Sequence, residues 1–282
     1  MKYITFLNQQ KKRAIEHNLE SEAIKLLLLE LSGVSGAEFV SMLHEEISNE
    51  EVTRLTSEID KYIIHGIPVQ HIIGHTYFYG YKMKVNGEVL IPRPETEELV
   101  GYVLSYYDEV FEGKKVKAVD VGTGSGAIAI ALSKEESNME MSATDISSTA
   151  IEVAKENAKI NEANVNFMVG DMLKPLIEKN LKFDVLVSNP PYIPDDEYVE
   201  DIVKNNEPHV ALFGGSDGMK FYDIILSNAH KVLNTPNIIA FEHGYRSKEK
   251  MIALANKYFP KGEVISIKDL SDKDRMTVII NK

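Results

Sequence analysis

Apolar positions fall into two regimes along this chain. Over residues 1 to about 70 they recur at helical spacing, as in Glu22-Ala23-Ile24-Lys25-Leu26-Leu27-Leu28-Leu29-Glu30-Leu31 and Glu51-Val52-Thr53-Arg54-Leu55-Thr56-Ser57-Glu58-Ile59. That spacing predicts amphipathic helices and almost no strand. Ser32-Gly33 and Ser35-Gly36 punctuate them, and Gly66-Ile67-Pro68 closes the last. Residues 1–74 therefore read as a small helical domain. Nothing in it carries evident catalytic chemistry, which leaves scaffold or partner recognition as its roles.

At His75 the pattern becomes alternating and aromatic: Tyr77-Phe78-Tyr79-Gly80-Tyr81-Lys82-Met83-Lys84-Val85, then Asn86-Gly87, then Glu88-Val89-Leu90-Ile91. Asn-Gly between two such runs is a strong hairpin signal, so a β-hairpin linker is expected over residues 75–92. Pro92-Arg93-Pro94-Glu95-Thr96-Glu97 then opens a helix, with Pro94 and the acids suited to its first turn. Beyond Lys117 short apolar runs alternate with helical ones to the end. Strands are predicted near 117–121, 139–144, 165–169, 183–188, 237–242, 263–268 and 275–280, and helices near 126–135, 147–160, 218–233 and 246–258. The fold class is α/β: a doubly wound, mostly parallel seven-stranded sheet occupying residues 93–282. The loop around Ser271-Asp272-Lys273-Asp274 is too short for a helical crossover, so at least one of the last strands runs antiparallel.

Polar residues collect where the predicted strands end, and ligands of open α/β sheets bind at such ends. Val119-Asp120-Val121 runs into Gly122-Thr123-Gly124-Ser125-Gly126-Ala127, a glycine turn between strand and helix that lets a ligand approach the backbone. The next strand ends at Asp145, about twenty residues on, where an acid takes ribose hydroxyls in this fold. A third ends at Gly170-Asp171-Met172, with Asp171 as acceptor for an exocyclic amine and Met172 as cover for an aromatic face.

The fourth, Phe183-Asp184-Val185-Leu186-Val187-Ser188, ends at Asn189-Pro190-Pro191-Tyr192. Two acceptors there, the Asn189 side chain and a proline carbonyl, suit a planar NH2 group whose face the Tyr192 ring covers. The same composition would serve a strand-terminating turn. NAD also matches a glycine turn plus an acid, but no His or Lys constellation for hydride transfer follows. S-adenosylmethionine fits better.

Composition narrows the acceptor. Hydrophobic content of 44% and charged content of 26% are those of a soluble globular protein. A net charge of −12 is unfavourable for a protein whose main partner is a polyanion, so direct nucleic-acid binding is not expected. It weighs against an amino-methyltransferase acting on adenine or cytosine, the rival reading of the tetrapeptide. With no cysteines there are no disulfides or thiolate sites, and the eight His show no metal spacing, so no metal is expected. The polar start of the chain lacks a signal-peptide core and Leu26-Leu27-Leu28-Leu29 is too short to span a bilayer, so a cytoplasmic location away from membranes is expected.

Together, Ile91-Pro92-Arg93-Pro94-Glu95-Thr96-Glu97, Asp120-Val121-Gly122-Thr123-Gly124-Ser125-Gly126, Asn189-Pro190-Pro191-Tyr192, Glu207-Pro208, Glu242-His243-Gly244 and Asp274-Arg275 resemble the bacterial release-factor glutamine methyltransferases. The match is specific from about Pro68 onward. Two departures stand out: Asn206 replaces a usual aromatic before Glu207-Pro208, and Asp272-Lys273 replaces a usual glycine-containing turn.

The resemblance implies a Rossmann-like S-adenosylmethionine-dependent methyltransferase domain. It implies methyl transfer to the side-chain amide nitrogen of the glutamine in the Gly-Gly-Gln loop of class I peptide chain release factors, with S-adenosylhomocysteine as product. The cofactor-binding set is then Gly122, Thr123, Gly124, Gly126, Asp145, Ile146, Asp171, Met172 and Asn189. Asn189, Pro190 and Tyr192 form the catalytic set, and Pro191 and Arg93 join them in binding substrate. A monomer is expected, with the helical domain available to recognise the release factor.

Overall fold

Helices α1 (Tyr3–Glu16), α2 (Glu22–Ser32), α3 (Gly36–Met42), α4 (Asn49–Ile63) and α5 (Val69–Ile73) occupy the first quarter of the computed structural model, which describes residues 1–282. Their apolar stripes meet in one core built on Phe6, Leu7, Ile24, Leu27, Leu28, Phe39, Leu55 and Ile59. The punctuation acts as its chemistry requires. Gly33 closes α2 at φ +66°, and Ser35 and Glu38 form a capping box at the start of α3. This helical unit comprises Met1–His75 and also Val199–Asn206, a later segment that contributes the short helix Asp201–Lys204. Asn206 joins the two parts of that unit, its Nδ2 donating to the carbonyls of Gly66 at 2.7 Å and Ile202 at 2.9 Å.

The second unit holds Thr76–Tyr198 and Glu207–Lys282. The two-stranded hairpin pairs β1 (His75–Phe78) with β2 (Tyr81–Lys84), so its turn falls at Tyr79-Gly80 and not at Asn86-Gly87 as the dipeptide suggested. Tyr79 and Gly80 both take positive φ, +52° and +82°. Competition explains the shift. The backbone N–H and C=O of Lys84 are both taken by the Asn157 side chain, at 2.6 and 3.0 Å, and Val85 and Val89 pack on Ala150 and Val153. Asn86-Gly87 still turns the chain, with Asn86 Oδ1 accepting from the Glu88 N–H and the turn running on through Val89, but no second hairpin strand follows.

The chain then alternates through α6 (Pro94–Phe111), β3 (Val116–Val121), α7 (Ala127–Glu135), β4 (Met139–Asp145), α8 (Ser148–Ile160), β5 (Val165–Val169), α9 (Lys174–Glu178), β6 (Phe183–Ser188), α10 (Asp201–Lys204), α11 (Lys220–Ala229), β7 (Leu233–Glu242), α12 (Lys248–Tyr258), β8 (Glu263–Lys268) and β9 (Asp274–Asn281). The helix expected over 218–233 stops at Ala229, because the chain from Leu233 is already paired to Phe183 as the start of β7. The seven-stranded sheet runs β5-β4-β3-β6-β7-β9-β8, and β9 alone is reversed, antiparallel to both neighbours. Both faces are buried. One packs on α6 and α7 through residues such as Leu99, Val103, Ile130, Val185 and Val187, the other on α11 and α12 through Tyr222, Ile225, Met251, Leu186 and Ile239.

Candidate active site

Strand order reverses between β3 and β6, where a doubly wound sheet opens a crevice at its carboxyl edge. Asp120 lies opposite Val187, and Ser188 opposite Phe241. One or two residues further on, Gly122, Asn189 and Glu242 therefore leave three adjacent strands at that edge.

The glycine turn is held from several sides. Gly122, Gly124 and Gly126 take φ of +76°, +54° and +84°, a region L side chains avoid. A Cβ on Gly126 would also stand 3.0 Å from the Ala154 Cβ, so this glycine lets α7 pack on α8. Asp145 accepts from the backbone N–H of Gly124 at 2.8 Å and of Ser147 at 2.9 Å, coupling the turn to the start of α8. Burial raises the Asp145 carboxyl and those amides oppose the rise. Asn157 adds a bond from Nδ2 to the Ser125 carbonyl at 2.9 Å.

Behind the turn, Asp120 is fully buried. Its Oδ2 accepts from the Thr123 hydroxyl at 2.5 Å, while Oδ1 has no donor at bonding distance. Desolvation pushes Asp120 up to about 7, eased by Thr123 and raised further by Asp145.

Asn189-Pro190-Pro191-Tyr192 is clamped by the loop before α11. Ile193 donates to the Leu212 carbonyl at 3.0 Å and Gly214 donates to the Ile193 carbonyl at 2.8 Å. A Cβ on Gly214 would stand 2.5 Å from the Pro191 carbonyl oxygen, and one on Gly218 would overlap the Tyr192 carbonyl. A buried polar chain adjoins the tetrapeptide. Asn189 Nδ2 donates to Thr96 Oγ1 at 3.2 Å, and the Thr96 hydroxyl donates to Glu242 Oε2 at 2.6 Å. The Tyr192 hydroxyl approaches Glu242 Oε1 at 3.4 Å. Burial raises both Glu242 and Tyr192. Thr96 and Arg275 pull Glu242 back, and the neighbouring Glu242 raises Tyr192 further.

A cavity lies between the turn and the tetrapeptide, lined by Gly122, Thr123, Gly124, Asp145, Ile146, Met172, Asn189, Pro191, Arg93 and Thr96 among others. Arg93 stands at its rim with its guanidinium on the buried Glu207 carboxylate at 2.6 Å, and the second Glu207 oxygen accepts from the Ile91 N–H at 2.9 Å. The Glu207-Pro208 pair thereby fixes the segment that opens α6.

Comparison with known proteins accounts for both units. Residues 7–74 match the model of the PrmC N-terminal domain, and residues 106–210 match that of the methyltransferase small domain. The release factor glutamine methyltransferase of Bacillus anthracis is 42% identical over 263 residues, covering 93% of each chain. That of Streptococcus pneumoniae is 35% identical over 281 residues, covering 99% of this chain and 98% of its own.

The chain belongs to the release factor glutamine methyltransferase family.

It is an enzyme with a methyltransferase domain. Among solved structures, a methyltransferase from Pyrococcus furiosus aligns with a TM-score of 0.50 at 21% identity, over 84% of this chain and 99% of its own. The hMettl16 catalytic domain aligns with a TM-score of 0.53 at 12% identity, over 83% and 82%. These two share the fold.

In this family member the residues singled out from the sequence separate into two groups. Arg93, Gly122, Thr123, Gly124, Asp145, Ile146, Met172, Asn189 and Pro191 line the cavity together. Gly126, Asp171, Pro190 and Tyr192 are not on its lining: Gly126 packs beneath α8, Asp171 is exposed, and the Tyr192 ring leans on the core face shared with α11.

Thr96, Glu242, Gly214 and Gly218 join the site only in the folded structure. A signal for Glu242 was present, since it ends an apolar strand just as Asn189 does. Nothing local marks Thr96, a buried residue in the first turn of α6 that only the fold brings against β6 and β7.

Proposed function

We propose that this enzyme transfers a methyl group from S-adenosylmethionine to the side-chain amide nitrogen of the glutamine in the Gly-Gly-Gln loop of class I peptide chain release factors, modulating translation termination. The observation that carries this reading is that Asn189 and the glycine turn line one cavity. The residues fit the cofactor. Gly122 and Gly124 line the cavity, and apart from their chain neighbours no atom stands within 4 Å of a Cβ built on either, so the turn leaves open space for a ligand. Gly122, Thr123, Gly124, Asp145, Ile146 and Met172 would hold it. Bound there, S-adenosylmethionine supplies an electrophilic methyl group on a sulfonium and is left as S-adenosylhomocysteine.

The chain's own work is positioning. An amide nitrogen is a poor nucleophile because its lone pair is delocalised. Asn189 Oδ1 and the Pro190 carbonyl would accept its two N–H bonds, orient it and favour the positive charge developing on nitrogen. Tyr192 would fix the amide plane, with Pro191 and Arg93 completing the substrate contacts. The amide proton leaves to water. The helical unit, residues 1–75 with 199–206, serves as the recognition domain for the release factor, and the second unit, residues 76–198 with 207–282, as the catalytic domain. The protein acts as a cytoplasmic monomer without direct nucleic-acid contact.

One experiment tests this reading. The enzyme is incubated with isotopically labelled cofactor and release factor, nucleic acid or neither, and the methyl is located by mass spectrometry. Label on the glutamine of Gly-Gly-Gln is expected, whereas label on nucleic acid alone would overturn it.

A further inference from the structure

The polar chain Asn189–Thr96–Glu242 has a direction, and that direction decides which end of the Asn189 carboxamide is free. Glu242 is 2% exposed and ends β7 next to Asn189 at the end of β6. Thr96 is 5% exposed and sits in the first turn of the eighteen-residue α6, so the positive end of that helix favours a carboxylate beside it. An ionised carboxylate only accepts hydrogen bonds. The Thr96 hydroxyl, 2.6 Å from Glu242 Oε2, therefore spends its one proton there. Its oxygen is left with lone pairs alone, so the Asn189 group 3.2 Å away has to be the NH2 end. The carboxamide is thereby oriented with Oδ1 as the uncommitted acceptor.

A rotation of the Asn189 amide by half a turn is sterically almost neutral, since oxygen and nitrogen are nearly the same size. Packing alone would not discriminate the two orientations. Facing a substrate NH2, the reversed amide would present donors to donors.

We propose that Thr96 and Glu242 are positioning residues for the methyl acceptor: their buried hydroxyl–carboxylate pair fixes the Asn189 side chain with its oxygen free for an incoming primary amide. The proposal rests on the reading that Asn189 holds that amide. A residue acting in this way alters turnover and leaves cofactor binding alone, because Thr96 and Glu242 reach the reaction only through Asn189. It also makes the two residues interdependent, since the carboxylate acts by orienting the hydroxyl.

The test compares Thr96→Val, Thr96→Ser, Glu242→Gln and the Thr96→Val/Glu242→Gln double variant with the wild-type enzyme and Asn189→Ala. It measures methylation of release factor, calorimetric affinity for S-adenosylmethionine and thermal melting. Thr96→Val, which keeps shape and removes the hydroxyl, should lower kcat by about tenfold or more with KM for release factor and cofactor affinity nearly unchanged. Thr96→Ser should recover most of that loss. Glu242→Gln, able to donate to Thr96 and so to reverse the chain, should also lower kcat, and the double variant should be no worse than the poorer single one.

If Thr96→Val does not fold, Thr96→Ala against Thr96→Ser gives the same comparison of hydroxyl lost and hydroxyl kept. A folded hydroxyl-free variant with wild-type kcat, or a serine variant as impaired as the valine one, overturns the proposal. The underlying reading fails separately, through a wild-type enzyme that leaves release factor unmethylated or an Asn189→Ala variant that remains fully active.

Discussion

Gly218 lies so close to Tyr192 that a Cβ at position 218 would overlap the Tyr192 carbonyl oxygen. Its φ of +74° adds conformational strain for any other residue. Gly218→Ala should therefore shift the tetrapeptide, and the strain alone costs about 1 to 3 kcal/mol. The expected result is a lower melting temperature and a large loss of turnover, with cofactor affinity little changed because the glycine turn is elsewhere. A variant with normal kcat would show that the loop before α11 does not set the tetrapeptide's geometry.

Asn189→Ala removes the proposed acceptor while leaving the cavity's other walls in place. Loss of a hydrogen bond formed to developing charge costs about a hundredfold in kcat or more. Calorimetry should find cofactor binding largely retained. Near-normal methylation of release factor would remove Asn189 from the catalytic role.

Asp145 holds Gly124 and Ser147 with separate oxygens. Asp145→Ala frees both amides, and each charge-assisted bond lost is worth about 1.5 to 3 kcal/mol. Cofactor dissociation constants should rise by about tenfold or more, together with a lower melting temperature. Unchanged affinity would rule out a part for this carboxylate in binding.

Asp120, pushed up to about 7 by burial, makes the unliganded protein pH-sensitive. Its folded-state value lies above the unfolded one, so the folded state binds the extra proton. Stability from this group is present at low pH and falls as pH rises through about 7. The raised value corresponds to up to about 4 kcal/mol by linkage. Melting curves from about pH 4 to about pH 8 should draw together for wild type and Asp120→Asn at the acidic end and separate progressively up to about pH 7, with the variant more stable. Parallel curves would contradict the raised value.

Glu207 is buried between the Arg93 guanidinium and the Ile91 amide. Glu207→Ala leaves the buried Ile91 amide unsatisfied while the part-exposed Arg93 turns to water, and urea unfolding should record a loss of about 1 to 3 kcal/mol. Arg93→Ala should cost at least as much, since it strands a buried carboxylate. Stability equal to wild type in either variant would show the pair to be incidental.

Much of this architecture was legible as pattern. Central strands buried on both faces need near-continuous apolar runs, so Val116–Val121 and Phe183–Ser188 lie where the sequence puts them to within a residue. Pro94 with Glu95 and Glu97 marked the start of α6, as a helix amino terminus requires. The hairpin turn lies away from Asn86-Gly87 because that dipeptide is only a local signal, and a residue far along the chain, Asn157, captures the Lys84 backbone groups that a longer hairpin would pair. At the β8–β9 connection Asp272 takes φ +60°, a conformation glycine usually supplies and Asp tolerates; nearby, Asp269 receives the Ser271 and Lys273 amides.

For the site, the chemistry was written in the strand ends, because each element's last residue is local information. Gly122, Asp145 and Asn189 stand at or just past predicted strand ends, and all three line the cavity. Their mutual support could not. Thr96 reaches Glu242 across 146 residues and Asn189 across 93, and Gly218 backs Tyr192 from a separate loop. Such contacts depend on which strands become neighbours, and strand order is settled by how helices cover both faces of the sheet, a property of the whole chain that no stretch of it carries. The residue types of Asn189-Pro190-Pro191-Tyr192 follow from the sequence; the direction in which Asn189 points its oxygen comes from the packing of α6 against β6 and β7.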